Sequence, residues 1–247
     1  AEMRQLSALV RDGFDTWDTL GNVRTVYRDS LILFNYTSAA QFEGRWNWFE
    51  RVSRGLILNA ETGEVVARPF DKFWNWGEGN RISHAPIVAI TEKIDGSLGI
   101  LYRNNDTWLI ATRGSFDSEQ AQRAMEILHD KYNLDNPPLD RSLTLLFEIV
   151  YPDNRIVVDY GDTEDLYLLA ARDRFTGKYL YWRDLYSMAH QYGFPVPKVY
   201  EFDTMQEILD AGQSLDASSE GWVIEFSDNQ RFKVKGDRYV ELHRLVT

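Results

Sequence analysis

The alternation of apolar and polar residues along the chain predicts many short strands. Strand-like apolar runs bounded by turn residues occupy 31–36, 56–58, 65–67, 86–94, 98–102, 107–112, 143–150, 156–158, 166–170, 222–226 and 231–235. The second and third runs flank Thr62-Gly63, and the last two flank Asp228-Asn229. Both pairs are therefore predicted to be hairpins.

Helical spacing of apolar residues is confined to a few segments. We predict helices for the N-terminal segment to about Phe14, for the stretch opened by Ser118-Glu119-Gln120, and for 184–192 and 204–211. Gly212 is predicted to close the last of these helices. Many strands with peripheral helices, and no repeat or linker, indicate a single α+β domain with mostly antiparallel sheets.

The amino-acid composition limits which catalytic groups and metal sites the chain can have. The chain has 247 residues, of which 44% are apolar, so it can bury a sizeable core. It has no cysteine, and its four histidines form no His-x-x-x-His pair. Disulfides, thiolate catalysis and cysteine metal sites are thereby excluded, and any metal is expected to be a hard, oxygen-bound ion such as Mg²⁺. No apolar run is long enough to cross a membrane.

The net charge of −11 weighs against a nucleic-acid partner. An acidic chain is repelled by phosphate backbones unless its cations are gathered in one place. Any role with RNA or DNA therefore requires a local basic site.

One turn carries a candidate nucleophile. In Lys93-Ile94-Asp95-Gly96-Ser97 a lysine leaves an apolar strand and meets a tight turn. Partial burial lowers the pKa of an ammonium group and makes the amine a nucleophile, and Gly96 lets a phosphate approach the backbone. An ordinary turn beside a lysine is the simpler interpretation of this segment alone.

Carboxylates and lysines farther along the chain favour the interpretation of Lys93 as a nucleophile. Glu148 stands in an apolar strand, Glu220 precedes another strand, and Lys233 and Lys235 share one face of a third. Each has an ordinary structural explanation, but buried carboxylates are costly unless they are paired. Lysines that point into the same site would supply the pairing.

Taken in order, these segments resemble motifs of the covalent nucleotidyltransferases, which include DNA ligases, RNA ligases and capping enzymes. The matching segments are Lys93-x-Asp95-Gly96, Phe147-Glu148, Glu220-Gly221 and Lys233-x-Lys235. From about residue 36 to the C-terminus the chain resembles one branch, the bacteriophage RNA ligase 1 family. That likeness includes 53–56, 67–73, 113–115, 118–121 and 154–157.

The resemblance implies a nucleotidyltransferase fold, an ATP-grasp-like ligase adenylation domain with antiparallel sheets flanked by helices. It implies that Lys93 attacks the α-phosphate of ATP, while Lys233 and Lys235 hold that phosphate and stabilise its charge. The implied ATP-binding residues are Tyr36, Arg54, Lys72, Lys93, Asp95, Gly96, Glu148, Glu220, Lys233 and Lys235. The implied metal site, for Mg²⁺ with Mn²⁺ as a substitute, uses Asp95, Glu148 and Glu220.

The resemblance also implies contacts with RNA through Arg54, Lys72 and Arg113. Arg113 stands where the family pattern favours lysine, which keeps the charge but changes the hydrogen-bonding shape. These cations, with Arg68 and the lysines above, would form a basic cleft that overcomes the acidic net charge. Tryptophans at 46, 48, 74 and 76 are expected mostly to pack, with Phe73 or Trp74 the candidate base-stacking side chain.

The implied function is RNA joining in three steps: AMP is attached to Lys93, moved to an RNA 5′-phosphate, and released when a 3′-hydroxyl attacks. The expected partner is RNA with 5′-phosphate and 3′-hydroxyl ends, with no membrane or obligate protein partner, in the cytoplasm of a bacterial or phage-infected cell. We expect one adenylation domain over residues 1–247, without an OB-fold or helical specificity domain. The alternatives are a capping-type or other nucleotidyltransferase, and a nucleotide- or RNA-end-binding module without catalysis.

Overall fold

The computed structural model describes residues 2–247, and Ala1 lies outside the described residues. The α-helices are α1 (Glu2–Arg11), α2 (Ser38–Glu43), α3 (Trp48–Val52), α4 (Glu119–Lys131), α5 (Trp182–Tyr192), α6 (Met205–Ser214) and α7 (Asp237–Val246). The strands are β1 (Val23–Arg28), β2 (Leu31–Tyr36), β3 (Arg54–Asn59), β4 (Val65–Ala67), β5 (Trp74–Asn75), β6 (Ile87–Glu92), β7 (Ser97–Asn104), β8 (Thr107–Ala111), β9 (Leu143–Val150), β10 (Asp165–Asp173), β11 (Gly221–Phe226) and β12 (Arg231–Lys235). The predicted α+β class is confirmed.

The chain divides into two compact units built from alternating segments. The first unit comprises Ala1–Lys72, Leu98–Phe147 and Leu169–Gly193. The second comprises Phe73–Ser97, Glu148–Leu168 and Phe194–Thr247. The prediction of one adenylation domain over the whole chain stays a prediction.

The first unit holds an antiparallel sheet in the order β1-β2-β3-β4. Ile32 and Phe34 alternate along β2 and pack on one face with Val10 of α1 and Phe49 of α3. The predicted hairpin at Thr62-Gly63 is present, with Ile57 opposite Ala67. This packing fixes the end of β2, where Tyr36 lies.

The first unit also carries most of the sheet ordered β10-β9-β7-β8. Helix α4 begins at its N-cap Ser118, whose hydroxyl accepts a hydrogen bond from the Ala121 N–H at 3.2 Å. His129 on this helix lies 3.1 Å from the Trp108 carbonyl of β8. This contact links α4 to β8.

The second unit holds the sheet β5-β12-β11-β6, in which only the short β5–β12 pair is parallel. Its core forms around Trp222, Ile224 and Phe232, with Ile208 of α6 packed against them. No helix among the described residues is long and apolar enough to span a membrane.

Two predictions about elements are wrong, each for a local reason. Residues 156–158 form no strand, because the backbone N–H groups of Val157 and Val158 donate to the carboxylate of Asp95. Gly212 does not close α6, which continues to Ser214. A side-chain carbon at Gly212 would meet Val234 Cγ1 at 3.5 Å, an ordinary van der Waals contact, so packing does not require glycine inside this helix.

Candidate active site

Lys93 forms an ion pair with Glu220 in the second unit. The Nζ atom of Lys93 lies 2.7 Å from Oε2 of Glu220. The pairing of β6 with β11 brings the two together: Lys93 follows β6 and donates its backbone N–H to the Gly221 carbonyl at 2.9 Å. The Lys93 side chain is 23% exposed and that of Glu220 only 5%. The amine therefore reaches solvent while its partner is buried.

The turn after Lys93 is fixed by a buried carboxylate. Oδ2 of Asp95 accepts hydrogen bonds from the N–H groups of Val157 and Val158, both at 2.9 Å. Its Oδ1 accepts from the Tyr239 hydroxyl at 2.7 Å, and its backbone N–H donates to the Tyr160 oxygen at 2.8 Å. Asp95 is thus an anchor of this turn, and its implied contact with ribose or metal stays a prediction.

Gly96 lies against the backbone of β9. Its N–H donates to Oε2 of Glu148 at 2.9 Å. A side-chain carbon at this position would lie 2.4 Å from the Ile149 carbonyl oxygen. Packing alone therefore requires glycine here, independently of any phosphate.

Electrostatics in this group perturb two pKa values. Burial raises the pKa of Glu148 to about 7; Glu220 and Asp95 add to this shift, while Lys93 and the Gly96 N–H oppose it. Burial and the nearby charge of Lys93 lower the pKa of the Lys235 ammonium, against the attraction of Glu220. Perturbed carboxylate and ammonium groups that lie together are typical of catalytic sites. We call Lys93, Asp95, Glu148, Glu220 and Lys235 the Lys93 cluster.

The two lysines of β12 share a face, as predicted. Phe232 and Val234 are buried, whereas the alternate Lys233 and Lys235 are partly exposed. Nζ of Lys233 lies 5.8 Å from the centre of the Phe73 ring, and Nζ of Lys235 lies 5.9 Å from that of Tyr239.

A second group of candidate residues lies in the first unit around Tyr36, at the end of β2. Arg113 donates to the Tyr36 hydroxyl at 2.9 Å and its guanidinium lies 4.7 Å from the ring centre. Arg54 Nε approaches the same hydroxyl at 3.5 Å. Nζ of Lys72 lies 5.8 Å from the Tyr36 ring and 5.3 Å from the Trp46 ring. We call Tyr36, Trp46, Arg54, Lys72 and Arg113 the Tyr36 cluster.

This cluster concentrates positive charge on a buried phenol. Burial by itself would raise the pKa of Tyr36, but the charges of Arg54, Arg113 and Lys72 outweigh it and lower that pKa. Within residues 2–247, neither Arg54 nor Arg113 forms a salt bridge with a carboxylate. Such a site attracts an anion.

The Lys93 cluster fits a divalent cation of the magnesium type. Across residues 2–247 no three His, Asp or Glu side chains are grouped to cage a metal. Mg²⁺ in nucleotide enzymes needs only one or two carboxylates, because water and substrate phosphates complete its shell. Glu148 and Glu220 supply two carboxylates whose mutual repulsion helps to raise the pKa of Glu148, and a cation would relieve that repulsion.

Several contributors escape prediction from sequence. Tyr239 and Tyr160 hold Asp95 from segments 144 and 65 residues away. Burial raises the pKa of each tyrosine, so both stay protonated and Tyr239 remains a donor. Trp46 packs edge-on against Tyr36 with ring centres 4.8 Å apart. No sequence signal marks these partners beyond their aromatic character.

Residues 52–239 match the model of a protein family described as RNA ligase. A protein of Autographa californica nuclear polyhedrosis virus, provisionally named a bifunctional polynucleotide kinase/RNA ligase, is 34% identical over 77% of this chain and 30% of its own length. Among solved structures, a mutant RNA ligase of Naegleria gruberi with ATP and Mn has a TM-score of 0.52 at 18% identity, over 65% of this chain and 52% of that chain.

A protein provisionally named an ATP-dependent DNA ligase, from Aquifex aeolicus, has a TM-score of 0.57 at 16% identity, over 86% of this chain and 58% of that chain. At these identities the two structures confirm the predicted nucleotidyltransferase fold. The chain spans less than a third of the viral relative.

Proposed function

We propose that this chain, which belongs to the RNA ligase family, joins a 5′-phosphate and a 3′-hydroxyl of RNA with ATP as co-substrate and an AMP group carried on Lys93. The main support for this proposal is the 2.7 Å ion pair between the partly exposed Lys93 and the buried Glu220. A nucleophilic lysine needs both access to its substrate and a group that handles its proton.

In the first step the Lys93 Nζ, after losing a proton, forms a bond to the α-phosphorus of ATP. The bond from that phosphorus to the bridging oxygen breaks, and pyrophosphate leaves with the electron pair. Glu220 positions the amine and, with Oε2 2.7 Å from Nζ, is close enough to accept its proton. Lys233 and Lys235 stabilise negative charge that develops on the phosphate oxygens.

A divalent cation held by Glu220 and Glu148 would shield the phosphate charge. The Naegleria gruberi RNA ligase, which has the same fold, was solved with ATP and Mn, and this supports ATP and a divalent cation as the bound ligands. The Asp95 carboxylate already accepts three hydrogen bonds from protein donors, which supports a role in holding the turn.

In the later steps a 5′-phosphate oxygen of RNA displaces Lys93 from the AMP phosphorus, and a 3′-hydroxyl then displaces AMP. Arg54, Lys72 and Arg113 of the Tyr36 cluster are proposed to contact phosphates of the RNA. Because this contact is electrostatic, binding of RNA should weaken steeply as salt rises. The chain's net charge of −11 leaves little non-specific attraction to compete with it.

The direct test is covalent labelling. With Mg²⁺ and α-labelled ATP, the wild-type chain is expected to carry label on a denaturing gel, and Lys93→Ala to carry none. Lys198→Ala is the matched control, because that exposed lysine lies 4.9 Å from the Tyr200 ring and outside the cluster. Label that persists in Lys93→Ala would rule out the mechanism.

The acceptor is tested separately with 5′-phosphorylated single strands. We expect joined RNA and little joined DNA. Equal or better joining of DNA contradicts the RNA assignment, and labelling by GTP in preference to ATP supports the capping-type alternative. Nucleotide binding without any label leaves only the non-catalytic binding module.

A further inference from the structure

Phe42 is the most exposed of the large apolar side chains, at 92%. It lies on α2, a six-residue helix whose only buried residue is Ala40. Single exposed apolar residues are common and need no explanation by themselves. The exposure of Phe42 has a possible use, because Phe42 lies on the helix between two members of the Tyr36 cluster.

Helix α2 joins two members of that cluster. Tyr36 precedes the helix and Trp46 follows it, and their rings contact each other edge-on. Gln41, next to Phe42, donates from Nε2 to the Tyr36 hydroxyl at 3.4 Å. Phe42 therefore directly follows, on α2, a residue whose side chain contacts the cluster.

The surroundings of Phe42 favour a nucleic acid over a protein. Among the described residues no carboxylate forms a salt bridge with Arg54 or Arg113, so these arginines attract phosphate, and the exposed Arg45 lies three residues from Phe42. A specific protein interface needs more than about 1,000 Å² of buried surface, whereas stacking of one base needs only one ring face. The carboxylate of Glu43, the acidic neighbour of Phe42, accepts a 3.0 Å hydrogen bond from the Asn22 side chain.

We infer that Phe42 is a stacking platform for one of the first two bases behind the 5′-phosphate of single-stranded RNA, whose phosphate Arg54 and Arg113 hold. The inference rests on the proposed function, since it takes RNA as the substrate. It adds a contact to the bases, which every nucleotide offers, so it strengthens binding without selecting a sequence.

The test measures equilibrium binding of a 3′-labelled, 5′-phosphorylated RNA strand by fluorescence anisotropy. Phe42→Ala is expected to weaken binding roughly 5- to 100-fold, the range for losing one stacked base. Phe42→Trp should restore it, whereas Phe42→Leu should not, because leucine is apolar but has no ring face. Tyr27→Ala is the matched control, since Tyr27 is 54% exposed on β1 and should not change binding.

A second arm removes the bases instead of the ring. Abasic sites at the first two positions should weaken wild-type binding about as much as Phe42→Ala does, and the two losses should not add. Additive losses, unchanged binding by Phe42→Ala, or failure of Phe42→Trp to restore binding would each overturn the inference. Labelling of the wild-type chain by ATP, measured alone, reports on the proposed function independently of these ratios.

Discussion

The Lys93 cluster combines lysines with carboxylates, whereas the Tyr36 cluster holds cations and no carboxylate. In the Lys93 cluster a lysine pairs with Glu220 at 2.7 Å, and the pKa of Glu148 is raised to about 7. In the Tyr36 cluster Arg54 and Arg113 converge on a phenol whose pKa they lower. A balanced, partly buried group suits proton and phosphoryl transfer, whereas an unbalanced one suits capture of an anion.

The largest effect expected from this contrast is that of Glu220→Gln on labelling by ATP. Loss of the carboxylate removes the partner of Lys93 and, in the proposed mechanism, a metal ligand, so the labelling rate should fall between about 10²- and 10⁴-fold. Quench-flow labelling measures it. Glu225→Gln is the matched control, because Glu225 lies on β11, the strand that directly follows Glu220, and pairs with Arg231 at 2.7 Å. Equal loss in both variants would mean that the strand, not the pair, is required.

The sequence predicts those features of the two clusters that depend on local patterns of residues. The apolar run 31–36 predicts the bounds of β2, the turn at Asp228-Asn229 predicts the β11–β12 hairpin, and Ser118 marks the start of α4. The segments holding Lys93 and Glu220 are also visible as motifs. Chemistry predicts that a buried carboxylate has a cationic partner, but the sequence does not indicate that Lys93 is the partner of Glu220.

The remaining parts depend on contacts between distant segments. No local pattern shows that the N–H groups of Val157 and Val158 bind Asp95, and their apolar character suggests a strand instead. Tyr239 completes the same anchor from α7, a helix that the apolar spacing did not predict. The two units alternate along the chain, so no linker separates them in sequence.

The next effect concerns stability against pH. The pKa of Glu148 is raised in the folded chain, so between its ordinary value and about 7 the folded state binds more protons than the unfolded state. The free energy of unfolding therefore falls as pH rises through this range, by up to about 3 kcal/mol. Glu148→Gln should abolish this fall.

Urea unfolding at a series of pH values between 4.5 and 8 measures it, with the difference between wild type and Glu148→Gln taken at each pH. A constant difference would show that the folded chain does not raise the pKa of Glu148. Addition of Mg²⁺ should reduce the fall, because a bound cation favours the ionised carboxylate.

A smaller effect is expected for the anchor of the turn. Tyr239→Phe removes the 2.7 Å hydrogen bond to Asp95, which is 3% exposed. Losing a hydrogen bond to a buried charged group should cost about 1.5–3 kcal/mol in the free energy of unfolding. Tyr192→Phe is the control, because its hydroxyl donates to the Pro137 carbonyl at an exposed site. Similar costs in both variants would mean that Asp95 gains no special support from α7.

The smallest effect is expected in the Tyr36 cluster. Arg113→Lys keeps the positive charge but loses the planar contact and the 2.9 Å hydrogen bond to the Tyr36 hydroxyl, worth about 1 kcal/mol. Joining of RNA should then fall about fivefold, whereas Arg113→Met, which also removes the charge, should lower it further and raise the pKa of Tyr36. Joining assays and ultraviolet titration of tyrosine measure the two results. If Arg113→Lys lowered joining as much as Arg113→Met, the hydrogen-bond geometry of Arg113 and not its charge would determine the contribution of the Tyr36 cluster to joining. The two clusters would then differ in hydrogen-bond geometry and not in how their charges are compensated.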